Sequence, residues 1–273
     1  MQSLFFPATA IFFVVIALVI YSTHAAKTQK NLGNLKEDFT NMIVHELRSP
    51  IIAIKDSSEL ILSDKYNLSE EEKKQFLEII NKQSKILLGQ IGSILDSAKL
   101  KAGKFTITKI QGDLSRVVKE EVATFLPSAS KKQINLKADI PPNLPMTSFD
   151  ATRMSQAINN LLANSVKFTQ EGGSIHVVVH YNPKIDKFIT VSVSDTGIGI
   201  PKEFQKNLFS QFTQADTTPK RLAKQGTGLG LYVVKGIIEA HGGTVHLESE
   251  PQKGTTVSFS LPVANEERQN KSV

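Results

Sequence analysis

The sequence contains no cysteine, which excludes disulfides, thiol nucleophiles and thiolate metal sites and fits a reducing compartment. It also lacks any basic run interleaved with aromatic residues. The lysines are spread along the chain, so the formal net charge of +6 does not amount to a nucleic-acid interface, and no nucleic-acid partner is expected. Such a modest basic excess fits a membrane-facing or ATP-binding protein. With 40% hydrophobic and 21% charged residues, the composition is that of an ordinary globular chain rather than a disordered one. A length of 273 residues holds roughly two compact domains.

Charge is absent from one long stretch. Leu4 to Tyr21, LFFPATAIFFVVIALVIY, is 18 residues without a charged side chain, enough to cross roughly 27 Å of hydrocarbon as a helix. A cleaved signal peptide would want Lys or Arg ahead of the apolar run, and none precedes it, although Thr23-His24-Ala25 would pass as a small-residue cleavage site. Lys27, Lys30 and Lys36 follow, so the positive-inside rule places the C-terminal side in the cytoplasm. The reading is a single-pass anchor in the cytoplasmic membrane over segment 1–30. With three residues ahead of the span, no extracytoplasmic sensor domain is expected.

From Asn31 to about Lys101 the apolar spacing is helical twice over. Leu35, Phe39, Met42/Ile43, Leu47, Ile51, Ile54 and Ile61 form one stripe at intervals of three and four. The segment Asp64–Leu68 interrupts it, and Ser69 with Glu72 three residues on reads as a capping box that opens a second helix. That helix carries Phe76, Ile79/Ile80, Gln83, Ile86/Leu87, Ile91, Ile94/Leu95 and Ala98. One hairpin cannot bury both stripes, so pairing with a second copy as a four-helix bundle is expected.

Within the first helix, NMIVHELRSP places His45 two residues from both Ile43 and Leu47, on the solvent side of the stripe. A lone exposed His is usually a solvated residue, but its neighbours add chemistry. Glu46 can polarise the ring and leave the other nitrogen as nucleophile. Pro50, inside the helix, costs about 3 kcal/mol and should bend it just after the histidine, either as a simple kink or because geometry matters there.

Beyond Gly103 strand-like segments alternate with helical ones: FTITKI, INLKADI, SIHVVVHY, KFITVSVSD, GGTVHLESE and GTTVSFSLP. The pattern predicts an α/β sandwich with helices on one face of a mixed sheet. NNLLANSVKFT places Asn160 and Asn164 one helical turn apart with Lys167 on the same face. Asn carbonyls can ligate Mg²⁺ and Lys can hold a phosphate, or these are ordinary helix-surface groups. A strand then runs into DTGIG. Asp195 at its end can accept a hydrogen bond from an exocyclic amine, and Gly197 and Gly199 let a planar ring approach the backbone; otherwise Asp195 is a turn carboxylate. LFSQF follows, then a polar stretch holding Lys220, Arg221 and Lys224, then GTGLG (Gly226, Thr227, Gly228, Leu229, Gly230) at a helix start. Backbone amides there can cradle phosphates, although a flexible linker would look similar.

Taken in this order, VHELRSP, NNLLANSVKFT, DTGIGI, LFSQF and GTGLGL resemble the phosphoacceptor, N, first glycine, F and second glycine boxes of the sensor histidine kinases of two-component signalling. The resemblance covers about Asn31 to Val263. It implies an α+β chain with a dimerisation and phosphotransfer domain over 31–102, a Bergerat-type ATP-binding domain over 103–263 and a polar tail over 264–273. It further implies His45 as phosphoacceptor, Glu46 as general base, Asn164 as Mg²⁺ ligand supported by Asn160, Lys167 on phosphate, Asp195 on adenine, and Phe209 and the glycine loop around ATP. Segment 213–225 would be the mobile ATP lid, with its three cationic residues near the phosphates. The partners so implied are a second copy of the chain and the receiver domain of a response regulator. Family resemblance also assigns dephosphorylation of that partner to Glu46 with Ser49, where relatives carry Thr or Asn. Ser lacks the methyl that restrains the Thr rotamer, so weak phosphatase activity is expected, unless Ser49 is merely a small residue tolerated before Pro50. No membrane-proximal signalling module or C-terminal receiver domain is visible in the sequence. Two other classes compete with this reading. A gyrase- or chaperone-like ATPase would not need an exposed His on a separate hairpin. A nucleotide-binding membrane scaffold would be expected to show a broken motif, and none is broken.

Overall fold

The computed structural model describes residues 40–41, 43–185, 187–211 and 228–263. The apolar run Leu4–Tyr21, Leu35, Phe39 and Met42 of the first stripe, the lid residues Lys220, Arg221 and Lys224, Gly226 and Thr227, and the tail 264–273 lie outside the described residues. Among the described residues no helix is long and apolar enough to cross a membrane.

Two helices form a hairpin. The first, α1 (residues 40–62), runs through Pro50, which is buried. A short 3₁₀ turn, Asp64–Tyr66, follows, and Asn67 in the left-handed conformation (φ 42°) ends it. The second helix, α2 (Glu70–Lys101), begins with the expected capping box. The Ser69 N–H donates to the Glu72 carboxylate at 2.9 Å and the Glu72 N–H donates to Ser69 Oγ at 3.3 Å. Three glutamates in the first turn and Lys99 and Lys101 in the last match the helix dipole.

The second half is built around one sheet. Its elements are β1 (Ile110–Gly112), α3 (Leu114–Lys131), β2 (Asn135–Asp139), β3 (Thr147–Phe149), α4 (Ala151–Phe168), β4 (Ser174–His180), β5 (Phe188–Asp195), the single turn α5 (Lys202–Gln205), α6 (Gly230–Ala240), β6 (Thr244–Glu250) and β7 (Gly254–Pro262). Five strands align in the order β2-β4-β5-β7-β6, with β2 and β4 parallel and the remaining pairs antiparallel. The alternation in β5 is the driver: Ile189, Val191 and Val193 point to one face and are buried, while Thr190, Ser192 and Ser194 point to the other. The apolar face packs against Leu114 and Val118 of α3, Met154, Ile158, Leu161 and Leu162 of α4, and Val233, Val234, Ile237 and Ile238 of α6. Each such burial stabilises the fold by about 1.5–3 kcal/mol. The opposite face is zipped by hydroxyl pairs, Ser192 to Ser258 at 3.0 Å and Ser194 to Thr256 at 2.9 Å. Helices on one face of a mixed sheet are what the sequence predicts.

Two strand expectations need correction. FTITKI is a strand only at Ile110. The Thr108 N–H is taken by the Asp150 carboxylate at 2.9 Å and the Phe105 ring is covered by the Arg153 guanidinium at 5.0 Å, so these residues serve the start of α4 rather than a ladder. Conversely, β3 in the segment MTSFD was not expected. Its three residues pair with β1, with Ile110 opposite Phe149, a run too short to show periodicity.

Candidate functional site

Helix α4 brings most of the polar candidates together. Asp150 caps it by accepting the Arg153 N–H at 3.1 Å. Burial pushes the Asp150 carboxyl up, but the N–H groups of Thr108 and Arg153 outweigh it and hold the group below its ordinary value. At the other end the Lys132 ammonium donates to the carbonyls of Val166, Lys167 and Thr169, at 2.9, 3.0 and 2.5 Å. It places a cation at the negative pole of the helix dipole. Asn160, Asn164 and Lys167 share one half-buried face between these ends. The Asn160 Nδ2 is buried with no hydrogen-bond partner among the described residues. A buried amide left so is costly, and it fits a site meant to receive oxygen acceptors from outside. Asn160 lies beside the first residue of α6: a Cβ on Gly230 would sit 3.8 Å from its Cγ. The Lys167 Nζ stands 4.6 Å above the Phe168 ring. Burial lowers its pKa, and the charge of Glu46 opposes the shift.

Asp195 ends β5, the central strand, and is tied to α4. Its Oδ2 accepts from Ser165 Oγ at 3.1 Å and its Oδ1 accepts the Gly197 N–H at 2.9 Å, with the Thr255 N–H as a third donor. Burial raises its pKa and these donors resist the rise. The carboxylate is therefore held in place with acceptor capacity to spare, which suits an amine donor on a ligand. Gly199 has φ +65°, and a Cβ there would fall 1.9 Å from the Glu250 carbonyl oxygen; only glycine fits this close approach. The loop to α6 ends with Gly228 at φ +63° and fully buried Leu229. Among the described residues no side chain caps the first turn of α6, and backbone N–H groups at a helix start can donate to an anion. Phe209 packs partly buried against the core.

The hairpin side is equally defined. His45 is exposed, as the periodicity predicts, and Glu46 beside it is half-buried with its Oε2 fully covered. Ser49 is exposed. The structure thus brings Glu46 near Lys167, and Asn160 near Gly230, while Lys220, Arg221, Lys224, Gly226 and Thr227 lie outside the described residues.

Several connecting residues escaped sequence reasoning. Ser165 sits inside NNLLANS and orients Asp195. Asp96, 4% exposed, accepts from Arg153 Nη1 at 2.7 Å and from Gln156 Nε2 at 2.8 Å. The signal for Asp96 was a carboxylate directly beside the apolar pair Ile94/Leu95. Gln211, in the LFSQF stretch, donates to Ser97 Oγ at 2.7 Å.

Comparison with known proteins agrees with this geometry. Residues 35–103 match the family described as "His Kinase A (phospho-acceptor) domain", and residues 149–265 match "Histidine kinase-, DNA gyrase B-, and HSP90-like ATPase". The chain is 35% identical over 252 residues to the "Non-motile and phage-resistance protein" of Caulobacter vibrioides, covering 91% of this chain and 29% of that protein. It is 34% identical over 234 residues to "Sensor histidine kinase TmoS" of Ectopseudomonas mendocina, covering 86% of this chain and 24% of that protein. It therefore spans roughly a quarter of the length of these relatives. Among solved structures, full-length ShkA in complex with AMPPNP is 24% identical and matches with a TM-score of 0.60 over 84% of this chain and 46% of that one, a likeness of fold. With the phosphoacceptor match on the hairpin and the ATPase match on the sheet and its helices, this chain belongs to the sensor histidine kinases of two-component signalling.

Proposed function

We propose that the protein uses ATP to phosphorylate its own His45 and passes the phosphoryl group to an aspartate of a response-regulator receiver domain. One observation carries this reading. The helix that presents Asn160, Asn164 and Lys167 also meets the hairpin that presents an exposed His45 beside a covered Glu46.

Each residue then has a task. Asp195 accepts the exocyclic amine of adenine, and Gly197 and Gly199 let the ring lie against the backbone. The glycine loop through Gly228 and Gly230 supplies N–H donors to the phosphates, with Phe209 behind it and Lys220, Arg221 and Lys224 adding positive charge. Lys167 contacts phosphate. Asn164, supported by Asn160, would hold Mg²⁺, which neutralises charge on the phosphates when bound. A nitrogen lone pair of His45 bonds to the γ-phosphorus as the bond to the β–γ bridging oxygen breaks and ADP leaves. The proton on the other ring nitrogen passes to Glu46. Positioning and charge neutralisation carry most of such a reaction.

Three further features belong to this reading. Leu4–Tyr21 anchors the chain in the membrane with its domains on the cytoplasmic side, because the run is uncharged and Lys27, Lys30 and Lys36 follow it. The hairpin pairs with that of a second copy, because its apolar side chains stay exposed in one chain. Glu46 and Ser49 give weak phosphatase activity toward the receiver. The test of the central reaction is incubation of the full chain with γ-labelled ATP. Acid-labile, base-stable label is expected, and it should vanish in His45→Gln while nucleotide binding persists. Label surviving in that variant removes His45 as the acceptor.

A further inference from the structure

We propose that Ser165 sets the site's preference for a base with an exocyclic amine, because its hydroxyl fixes Asp195 as a hydrogen-bond acceptor. The proposal rests on the reading above, in which Asp195 meets adenine, and adds the residue that governs the strength of that contact.

Three other helical serines show what sets Ser165 apart. Ser58 donates to the Ile54 carbonyl at 2.8 Å, Ser93 to the Gly89 carbonyl at 3.0 Å and Ser128 to the Phe125 carbonyl at 2.9 Å. That is the ordinary use of a hydroxyl inside a helix, a bond back to the preceding turn. Ser165 is buried in α4 at 3% exposure, yet its proton goes to Asp195 Oδ2 at the end of β5, 3.1 Å away and 30 positions on. The same carboxyl group is held from the backbone. The Gly197 N–H donates to Oδ1 at 2.9 Å and the Thr255 N–H is a further donor. A Cβ on Gly197 would fall 2.8 Å from Oδ1 and 2.7 Å from the Phe168 carbonyl oxygen, so main chain closes that side.

An ionised carboxylate offers about four lone-pair sites. Among the described residues three donors take three of them, which leaves room for one N–H from a ligand. The Ser165 hydroxyl has no second proton, so it too can only accept. An exocyclic amine in that place is bound. A carbonyl oxygen there would set acceptor against acceptor, and a bare C–H would leave the carboxylate unpaired, each at a loss of affinity. Two of the three donors belong to the backbone and persist in every variant, so Ser165 is the one that a substitution can remove. Without it the carboxylate keeps two donors against the burial that opposes its charge, and one oxygen loses its fixed direction. The amine contact then weakens, while the contacts assigned above to the phosphates involve other residues.

The test compares the binding of ATP to the full chain with that of purine riboside triphosphate, the same molecule without the exocyclic amine. Their ratio of affinities reads that one contact. Wild type should prefer ATP. Ser165→Ala should weaken ATP by about 10-fold, the lower end for losing a bond to a charged group, and leave the analogue unchanged. Alanine is the best helix former, so α4 should persist, and Tm checks that it does. Ser165→Cys fills the site with a weak donor and should lose most of the same preference. In an Asp195→Asn background, Ser165→Ala should alter the ratio little, because the hydroxyl acts through the carboxylate. Equal losses for both nucleotides, or an ATP preference unchanged in both Ser165 variants, overturn the proposal and leave Ser165 as packing between α4 and β5. Wild type with no preference for ATP removes the adenine contact as well. Wild type that prefers ATP but is indifferent to Ser165 removes the proposal alone, so the two failures are distinguishable.

Discussion

Among the described residues, every buried aliphatic or aromatic side chain except Pro50 lies at Leu114 or beyond, whereas in the hairpin Pro50, Ser57, Asp96 and Ser97 are buried and Leu62 and Leu88 remain 81% and 69% exposed. The ATPase-type domain closes its own core between one sheet and three helices. The hairpin has the residues for a core but not the second layer, and a two-helix layer needs another to cover it. One half thus has a core of its own. The other half is left as an open apolar face, and of its buried polar groups Asp96 and Ser97 are the ones that grip the first.

The strongest way to break this contrast is to open a cavity on one side only. Ile158→Ala, at the centre of the sheet-facing side of α4, should destabilise the ATPase-type domain by about 2–5 kcal/mol, read as a lowered urea midpoint. Leu88→Ala should change stability by less than about 0.5 kcal/mol and leave that midpoint nearly unmoved, yet weaken self-association in analytical ultracentrifugation of the full chain in detergent. Equal losses of midpoint in the two variants would erase the distinction between a closed core and an open face.

Next in size is a change that separates function from stability within the closed domain. Asp195→Asn keeps the shape of the side chain but removes a carboxylate that burial already disfavours. Nucleotide affinity should fall by about 10–100-fold, the worth of a hydrogen bond to a charged group, while Tm stays level or rises. A nucleotide titration showing no loss would misplace the adenine contact, and a large drop in Tm would make Asp195 a structural residue.

A smaller effect is expected from acid. His241 is buried at the end of α6; its Nε2 accepts the Asp150 N–H at 2.9 Å, so its Nδ1–H is the donor to the Ile237 carbonyl at 2.7 Å. The ring is neutral, and burial holds its pKa below the ordinary 6.5. The unfolded chain takes up a proton near pH 6.5 that the folded chain refuses, so this stability is present above 6.5 and is lost as pH falls through the window below it. Asp150, itself held low, adds its own loss only below about pH 4. Urea midpoints between pH 7.5 and 5 should fall in wild type and fall less in His241→Gln. Identical slopes would take His241 out of the acid response.

The smallest expected effect falls on the hairpin surface. Ser49→Thr should quicken dephosphorylation of a phosphorylated receiver by the ADP-loaded protein, and Ser49→Ala should end it, with the urea midpoint unmoved in both because the side chain is exposed. Three equal rates would leave Ser49 without a part in the reverse reaction.

Much of this was legible in the sequence, for identifiable reasons. The stripes of α1 and α2, the Ser69–Glu72 cap and the alternation of β4, β5 and β7 are relations among residues a few positions apart, and the 3.6- and 2-residue periods display them directly. The glycines of DTGIG and GTGLG announce close approaches and turns that other residues resist. The exposure of His45 followed from its place off the stripe. In contrast, FTITKI looked like a strand because its side chains alternate, and nothing local revealed that Asp150 would claim the Thr108 N–H, 42 positions away.

The amino-acid sequence by itself therefore determined the elements, their apolar faces and the order of the motifs, because these depend on backbone propensity and on neighbours within a turn or two. Only the tertiary structure decided that Asp96 faces Arg153 across 57 positions, that Ser165 reaches Asp195 across 30, and that His241 caps the Asp150 N–H across 91. Such pairs arise from burial, which forces each charge or ring that leaves water to find a partner. Which partner it finds is set by how the layers stack, and that is a property of the whole fold.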